Sequence, residues 1–180
     1  MIACTAILAA GCNSNEPKED KPAAAAEVKS DAAVKYDYPY KLDKPYQNWQ
    51  AGNQQHAITV MKSLKAFEAG DMTAAVAGFG DTVELRFDNY RARVSNDSLK
   101  KIFTDWRAQN ASVVIKMDDW EPVISEDKKE EWVTLWYKEI HTDKKGKVDS
   151  LATIDDCKMV NGKIVVLDEK IQHYPAPAKK

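Results

Sequence analysis

Near the C-terminal end, acidic side chains stand among apolar ones in two stretches, Ile154-Asp155-Asp156-Cys157 and Leu167-Asp168-Glu169-Lys170-Ile171. Between them lies Asn161-Gly162, a dipeptide that favours a tight hairpin turn with positive φ at both central positions. If those residues form the turn, Val160 pairs with Lys163 and the flanking runs lie antiparallel. Counting outward, Asp156 falls opposite Leu167, on the face that carries Ile154, Val165, Glu169 and Ile171. Asp155 falls opposite Asp168, on the face with Cys157, Val166 and Lys170. The first face is the more apolar and is expected to line the interior, with Asp156 and Glu169 as diagonal neighbours. Two carboxyl groups in an apolar cavity can share a proton or meet a polar ligand, because burial and like charge both resist ionisation. The plainer alternative is two solvated carboxylates at the sheet rim. Register decides, since a slip of one residue exchanges the two faces.

Other residue types offer less chemistry. His56, His141 and His173 are far apart, with no H-x-x-x-H or histidine–carboxylate spacing of a metal site. His56 lies on the edge of a helical stripe and reads as a partly buried structural histidine. Cys157 lies in the folded part and reads as a small core or interface residue, having no evident histidine partner. Trp106, Trp120, Trp132 and Trp136, with Tyr137, are many aromatic residues for this length. They serve packing, or some of them line a pocket for a flat apolar ligand. Arg86, Arg91 and Arg93, with Asp88 and Tyr90, are read as a loop that is either solvated or meets an anionic ligand. No glycine-rich dinucleotide motif, P-loop, nucleophile elbow or H-E-x-x-H is present, and no cofactor is expected.

The elements that would position these residues follow from periodicity. Over residues 49–69, Ala57, Val60, Met61, Leu64 and Phe67 keep helical spacing, and Gly70 can end the helix in the left-handed conformation. Asp71 can cap a second helix with Met72, Ala75, Val76 and Phe79 as its apolar stripe, stopped by Gly80. A strand over 82–87 precedes a third helix, capped by Ser95 or Asp97, that repeats the spacing at Leu99, Ile102, Phe103 and Trp106. After Asn110 the period becomes two, with Val113, Ile115 and Met117 on one face. Residues 131–141 read as a strand apolar on both faces and expected to be covered on both. Residues 148–160 and 163–174 complete the hairpin. The order is α-α-β-α-β-β-β-β, an α+β layering of three helices on a mainly antiparallel sheet.

Composition and the N-terminus bound the setting. The chain has 180 residues, 44% hydrophobic and 30% charged, with formal net charge -2. That is globular composition, and its charge implies neither nucleic acid nor an anionic membrane surface as a partner. No apolar run reaches the ~18 residues of a spanning helix. Residues 1–10 are short and apolar, and Gly11-Cys12 then leads into polar Asn13-Ser14-Asn15-Glu16. Leu8-Ala9-Ala10-Gly11-Cys12 resembles a bacterial lipobox, which implies a signal peptide over 1–12, an acylated Cys12 and a membrane-anchored place in the cell envelope, periplasmic or surface-facing. Residues 13–45 read as a flexible tether and extended arm, 46–174 as the folded domain and 175–180 as a disordered tail.

Two further stretches carry a resemblance. Leu64-Lys65-Ala66-Phe67-Glu68-Ala69-Gly70-Asp71, followed by Ala74-Ala75-Val76-Ala77-Gly78-Phe79-Gly80-Asp81, is similar to the opening of a SnoaL-like domain of the nuclear transport factor two-like superfamily. Ile154-Asp155-Asp156 through Asn161-Gly162-Lys163-Ile164-Val165 is similar to its last hairpin. The resemblance covers about residues 49–174. It implies a cone-shaped fold with a curved sheet around helices, a pocket at the open end, and homodimers through the sheet. In the ketosteroid isomerase branch a tyrosine, a carboxylate base and a protonated aspartic acid do the chemistry. Here the tyrosine position falls at Ser63, the base near Phe87-Asp88 and the acid at Asp155 or Asp156, so one role is missing. The expected pocket comprises Val60, Ser63, Trp106, Trp136, Ile154, Asp156, Leu167, Glu169 and Ile171, with Asp88, Asp156 and Glu169 as candidate catalytic groups and no metal. The expected function is a non-catalytic module for a small apolar or amphipathic ligand. The alternatives are an isomerase, cyclase or dehydratase using pocket carboxylates, and a structural adaptor without ligand.

Overall fold

The computed structural model describes residues 38–174. The lipobox with Cys12, most of the tether and the tail at 175–180 lie outside the described residues. The chain divides into two units, Met1–Lys41 and Leu42–Lys180, and every helix and strand described belongs to the second. Its elements are β1 (Gln50–Ala51), α1 (Gln54–Ala69), α2 (Met72–Ala77), β2 (Phe79–Phe87), β3 (Tyr90–Ser95), α3 (Asn96–Arg107), β4 (Asn110–Ile124), β5 (Glu131–Asp143), β6 (Val148–Val160) and β7 (Lys163–His173).

Helix boundaries follow local chemistry. The Asn53 side chain accepts the Gln55 N–H to start α1, and Gly70, at φ 84°, ends it. The Asp71 carboxylate accepts the Ala74 N–H at the start of α2, and Ser95 caps α3 by accepting from Ser98. Phe79 does not extend the stripe of α2 as expected. Gly78 closes that helix, and Phe79 opens β2, where it is equally buried. The region read as an arginine-bearing loop is β3, an edge strand. Its inward row is Tyr90, Ala92 and Val94, none of them fully buried, so its apolar signal is thin.

The strands form one open, curved sheet in the order β1-β4-β5-β6-β7-β2-β3, antiparallel throughout except between β2 and β7. Helices cover its inner face. Leu85, Leu99, Leu135, Val133 and Ile164 are fully buried between the layers. Phe103 of α3 packs edge-on against Phe67 and Phe79, with ring centroids 5.5 and 5.8 Å apart. On β5, Val133, Leu135, Tyr137 and Glu139 face inward and are buried. Its other face, with Trp132, Thr134 and Trp136, is only half-buried, because no second layer covers it among the described residues. The expectation of cover on both sides therefore does not hold among the described residues.

The terminal hairpin corrects one expectation of consequence. Asn161 and Gly162 take φ 51° and 74°, and Val160 pairs with Lys163 as read. The register then shifts: Met159 pairs with Ile164 and Lys158 with Val166, leaving Val165 as an extra residue. Beyond this bulge Asp156 pairs with Asp168, and Asp155 pairs with Glu169. Leu151, Thr153, Asp155, Cys157 and Met159 form the buried inner row of β6, while Ile154 and Asp156 lie on the outer face.

Candidate functional site

Between the helices and the inner face of the sheet lies a cavity of about 440 Å³. Its deep wall is apolar, built from Val60 and Leu64 of α1, Phe103 of α3, Ile164 and Leu167 of β7, and Cys157. Its mouth is framed by Asp88, Asn89 and Tyr90 at the β2–β3 turn, by Trp106 and Gln109, and by Ile171. Phe87 packs edge-on against Trp106 at 5.0 Å, making an aromatic rim.

Polar groups converge on the sheet side. Asp155 is 5% exposed, and the Tyr137 hydroxyl donates to its Oδ2 at 3.0 Å. The other oxygen, Oδ1, has no partner. Burial pushes the Asp155 carboxyl up to about 7, against the Tyr137 hydrogen bond and with the Glu139 charge adding to the rise. Glu169, its cross-strand partner, is also pushed well above the usual carboxylate range, by burial first and then by Asp155 and Glu139. Glu139 is buried on β5 and lies 2.6 Å from Nε2 of His141. That hydrogen bond raises the His141 imidazole against the opposing effect of its burial. Tyr137 and Cys157 are both raised by burial, so the thiol stays protonated and weakly nucleophilic.

Of the residues proposed from sequence, Val60, Ser63, Asp88, Trp106, Leu167, Glu169 and Ile171 line the cavity. Trp136, Ile154 and Asp156 do not. Trp136 pairs with Ile154 on the outer face, and Asp156 accepts there from Thr134 at 2.6 Å and from Lys170 at 2.9 Å. The Val165 bulge is the physical reason for that exchange. Ser63 donates to the Ala75 carbonyl, so its hydroxyl ties α1 to α2. His56 lies 2.7 Å from Glu131 and away from the cavity. Arg86 is held on the outer face by Glu84 and Asp168, and neither Arg91 nor Arg93 lines the cavity. Among the described residues no group of three histidine, cysteine or acidic side chains is arranged to hold a metal.

From sequence Tyr137 is only one of several aromatic residues that could line a pocket, and Glu139 and His141 are not singled out as site residues. The three stand at alternate positions of one strand and so share a face. Their period was available, but a double-faced apolar strand gave no reason to choose that face.

The sequence matches no family model and no curated protein. Solved structures do match in fold. An LEH-like epoxide hydrolase of M. tuberculosis superposes with TM-score 0.53 at 12% identity, over 66% of this chain and 84% of that one. A nuclear transport factor two-like protein from Exiguobacterium gives TM-score 0.52 at 18% identity, over 63% and 98%. A putative polyketide cyclase from Xanthomonas campestris gives TM-score 0.50 at 13% identity, over 64% and 89%. The domain therefore has the nuclear transport factor two-like cone fold, α+β, with three helices on a curved and mainly antiparallel sheet.

Proposed function

We propose that the domain binds a small amphipathic molecule in its acid-lined cavity, on a chain anchored to the cell envelope through a lipid on Cys12 and paired with a second copy through the outer sheet face. One observation carries the binding reading: an apolar, aromatic-rimmed cavity with a buried carboxyl, Asp155, whose Oδ1 has no partner among the described residues. An unpaired buried acceptor costs free energy that a ligand donor would recover. Native mass spectrometry of the full chain tests this. A retained mass that disappears on Leu167→Trp, which fills the cavity, is expected. A chain that carries no small molecule and takes up none from a lipid or metabolite extract would sink the reading.

A second reading, a proton-transfer enzyme of the isomerase, cyclase or dehydratase kind, is favoured by the Tyr137–Asp155 pair. A carboxyl that titrates near 7 is matched to general acid–base work at neutral pH. Fold neighbours described as an epoxide hydrolase and a putative polyketide cyclase add support at the level of fold only. Incubation of the retained molecule with protein in deuterated water separates the two readings. An enzyme exchanges a carbon-bound proton and loses that exchange in Asp155→Asn, whereas a binding module leaves the molecule's mass unchanged.

A further inference from the structure

Acidic groups dominate the cavity, with the imidazole of His141 the one ionisable base that lines it among the described residues. Glu139 on β5, Asp155 on β6 and Glu169 on β7 enter it from three neighbouring strands, and Asp88 stands at the mouth. No lysine or arginine lines it. Of the nearby cations, Lys170 sits on the outer face with Asp156 and Asp168, and Arg107, outside the cavity lining, donates to the Asn110 and Glu68 carbonyls, keeps a buried Nε without a partner and opposes protonation of His141. His141 is held by Glu139. Asp155 and Glu169 therefore face each other across paired strands with no cation between them, and Asp155 Oδ1 is buried without a donor.

Two such carboxyl groups cannot both ionise cheaply unless something positive enters. A protonated nitrogen supplies both missing parts, a charge for the pair and N–H donors for the open oxygen. Phe103 and Trp106 of α3, with Phe87 of β2 packed against Trp106, offer an apolar body its cover and a cation the faces of aromatic rings. We propose that the ligand is an amphipathic amine, its ammonium group seated between Asp155 and Glu169 and its apolar body against Phe87, Phe103 and Trp106. This rests on the binding reading above and narrows it to one ligand class.

The pH dependence has a definite sign. Asp155, raised to about 7, gives up its proton between pH 5 and 8 while an alkylamine keeps its own. Glu169 is raised in the same direction by burial, and His141, facing the same cavity, can only lose positive charge as pH rises. Tyr137 and Cys157, both raised by burial, stay protonated. Lys170 and Asp156, beyond the sheet, keep their mutual pairing. Every change that faces the ligand favours the ammonium at the higher pH.

The test is isothermal titration of the full chain with three matched probes: 2-phenylethylamine, 2-phenylethanol and 3-phenylpropionate. At pH 8 the amine is expected to bind at least tenfold more tightly than the alcohol, and the carboxylate not measurably. Amine affinity is expected to fall about tenfold at pH 5, with proton release on binding seen as a heat that depends on the buffer. Glu169→Gln should lower amine affinity at least tenfold and leave the alcohol unchanged. Asp155→Asn should do the same, and circular dichroism confirms that each variant folds. If amine and alcohol bind equally at both pH values, the amine inference falls while the cavity remains a binding site. If none of the three binds, both readings fall.

Discussion

Asp155 and Asp156 are adjacent, identical in type and opposite in circumstance. One is buried against Tyr137 with an oxygen unpaired, and the other is held on the outer face by Thr134 and Lys170. Strand alternation guarantees that they differ, and a single bulge decides which is which. The turn was legible at Asn161-Gly162, so the carboxylates of the hairpin could be singled out. The extra residue was not, because Ile164-Val165-Val166-Leu167 is uniformly apolar and nothing in it marks the position that drops out of the ladder. The environment of Asp155 has a consequence for stability. Its carboxyl is raised from 3.8 to about 7, so the folded chain holds a proton that the unfolded chain releases in that window. Stability from this group is full below pH ~4, declines as pH rises toward 7, and stays low above that. Asp155→Asn removes the buried charge and keeps an acceptor for Tyr137. It is expected to match the parent in urea unfolding near pH 4 and to exceed it by roughly 2–4 kcal/mol at pH 8. An unchanged difference across that range would mean that Asp155 is not the group titrating. Asp156→Asn, half-exposed and already paired, should change stability by about 1 kcal/mol or less at either pH.

The same contrast between strong and thin signals recurs among the elements. The three helices were legible because each has an apolar stripe, with Asp71 and Ser95 readable as caps of α2 and α3, whereas α1, expected from residue 49, begins at Gln54 after its cap Asn53. The long strands β5 and β6 were legible from period and length. β1, with two residues, and β3, whose inward row of Tyr90, Ala92 and Val94 is nowhere fully buried, were not. Their pairing is imposed by the sheet rather than by their own propensity. One boundary can be tested without disturbing any packing. A Cβ built on Gly70 meets nothing within 4 Å, yet the residue sits at φ 84°. Gly70→Ala should therefore cost about 1 kcal/mol through backbone conformation alone. Gly70→Asn, a residue that tolerates this region, should recover part of it. Equal destabilisation by both, read from thermal melts, would point to a lost contact instead.

On the scale of the whole chain, the outer face of the sheet is the feature that one copy leaves unresolved. Trp132 and Trp136 lie there half-buried on one strand with Thr134 between them, and Ile154 is beside Trp136. Around them Arg86, Asp168, Lys170 and Asp156 form a chain of ion pairs. An apolar centre with a paired polar border is the composition of an interface core and rim. Open antiparallel sheets can also leave one face in water, but the outer row of β5 sets Trp132, Trp136 and Ile140 among Thr134, Lys138 and Thr142, more apolar than a solvated face usually is. Two copies stacked through this face would give β5 the second layer that its double-faced sequence asks for. The full chain is therefore expected to sediment as a dimer at micromolar concentration, and Trp136→Glu to shift it to single chains. The cavity lies on the opposite side of the sheet, so the same variant should keep its affinity for 2-phenylethylamine. Cys12→Ser, in turn, should move the chain out of the membrane fraction without altering the sedimenting mass of its folded part. A wild-type chain that sediments singly would mean that the tryptophans on this face are an ordinary half-exposed sheet surface, and pairing through it would be abandoned.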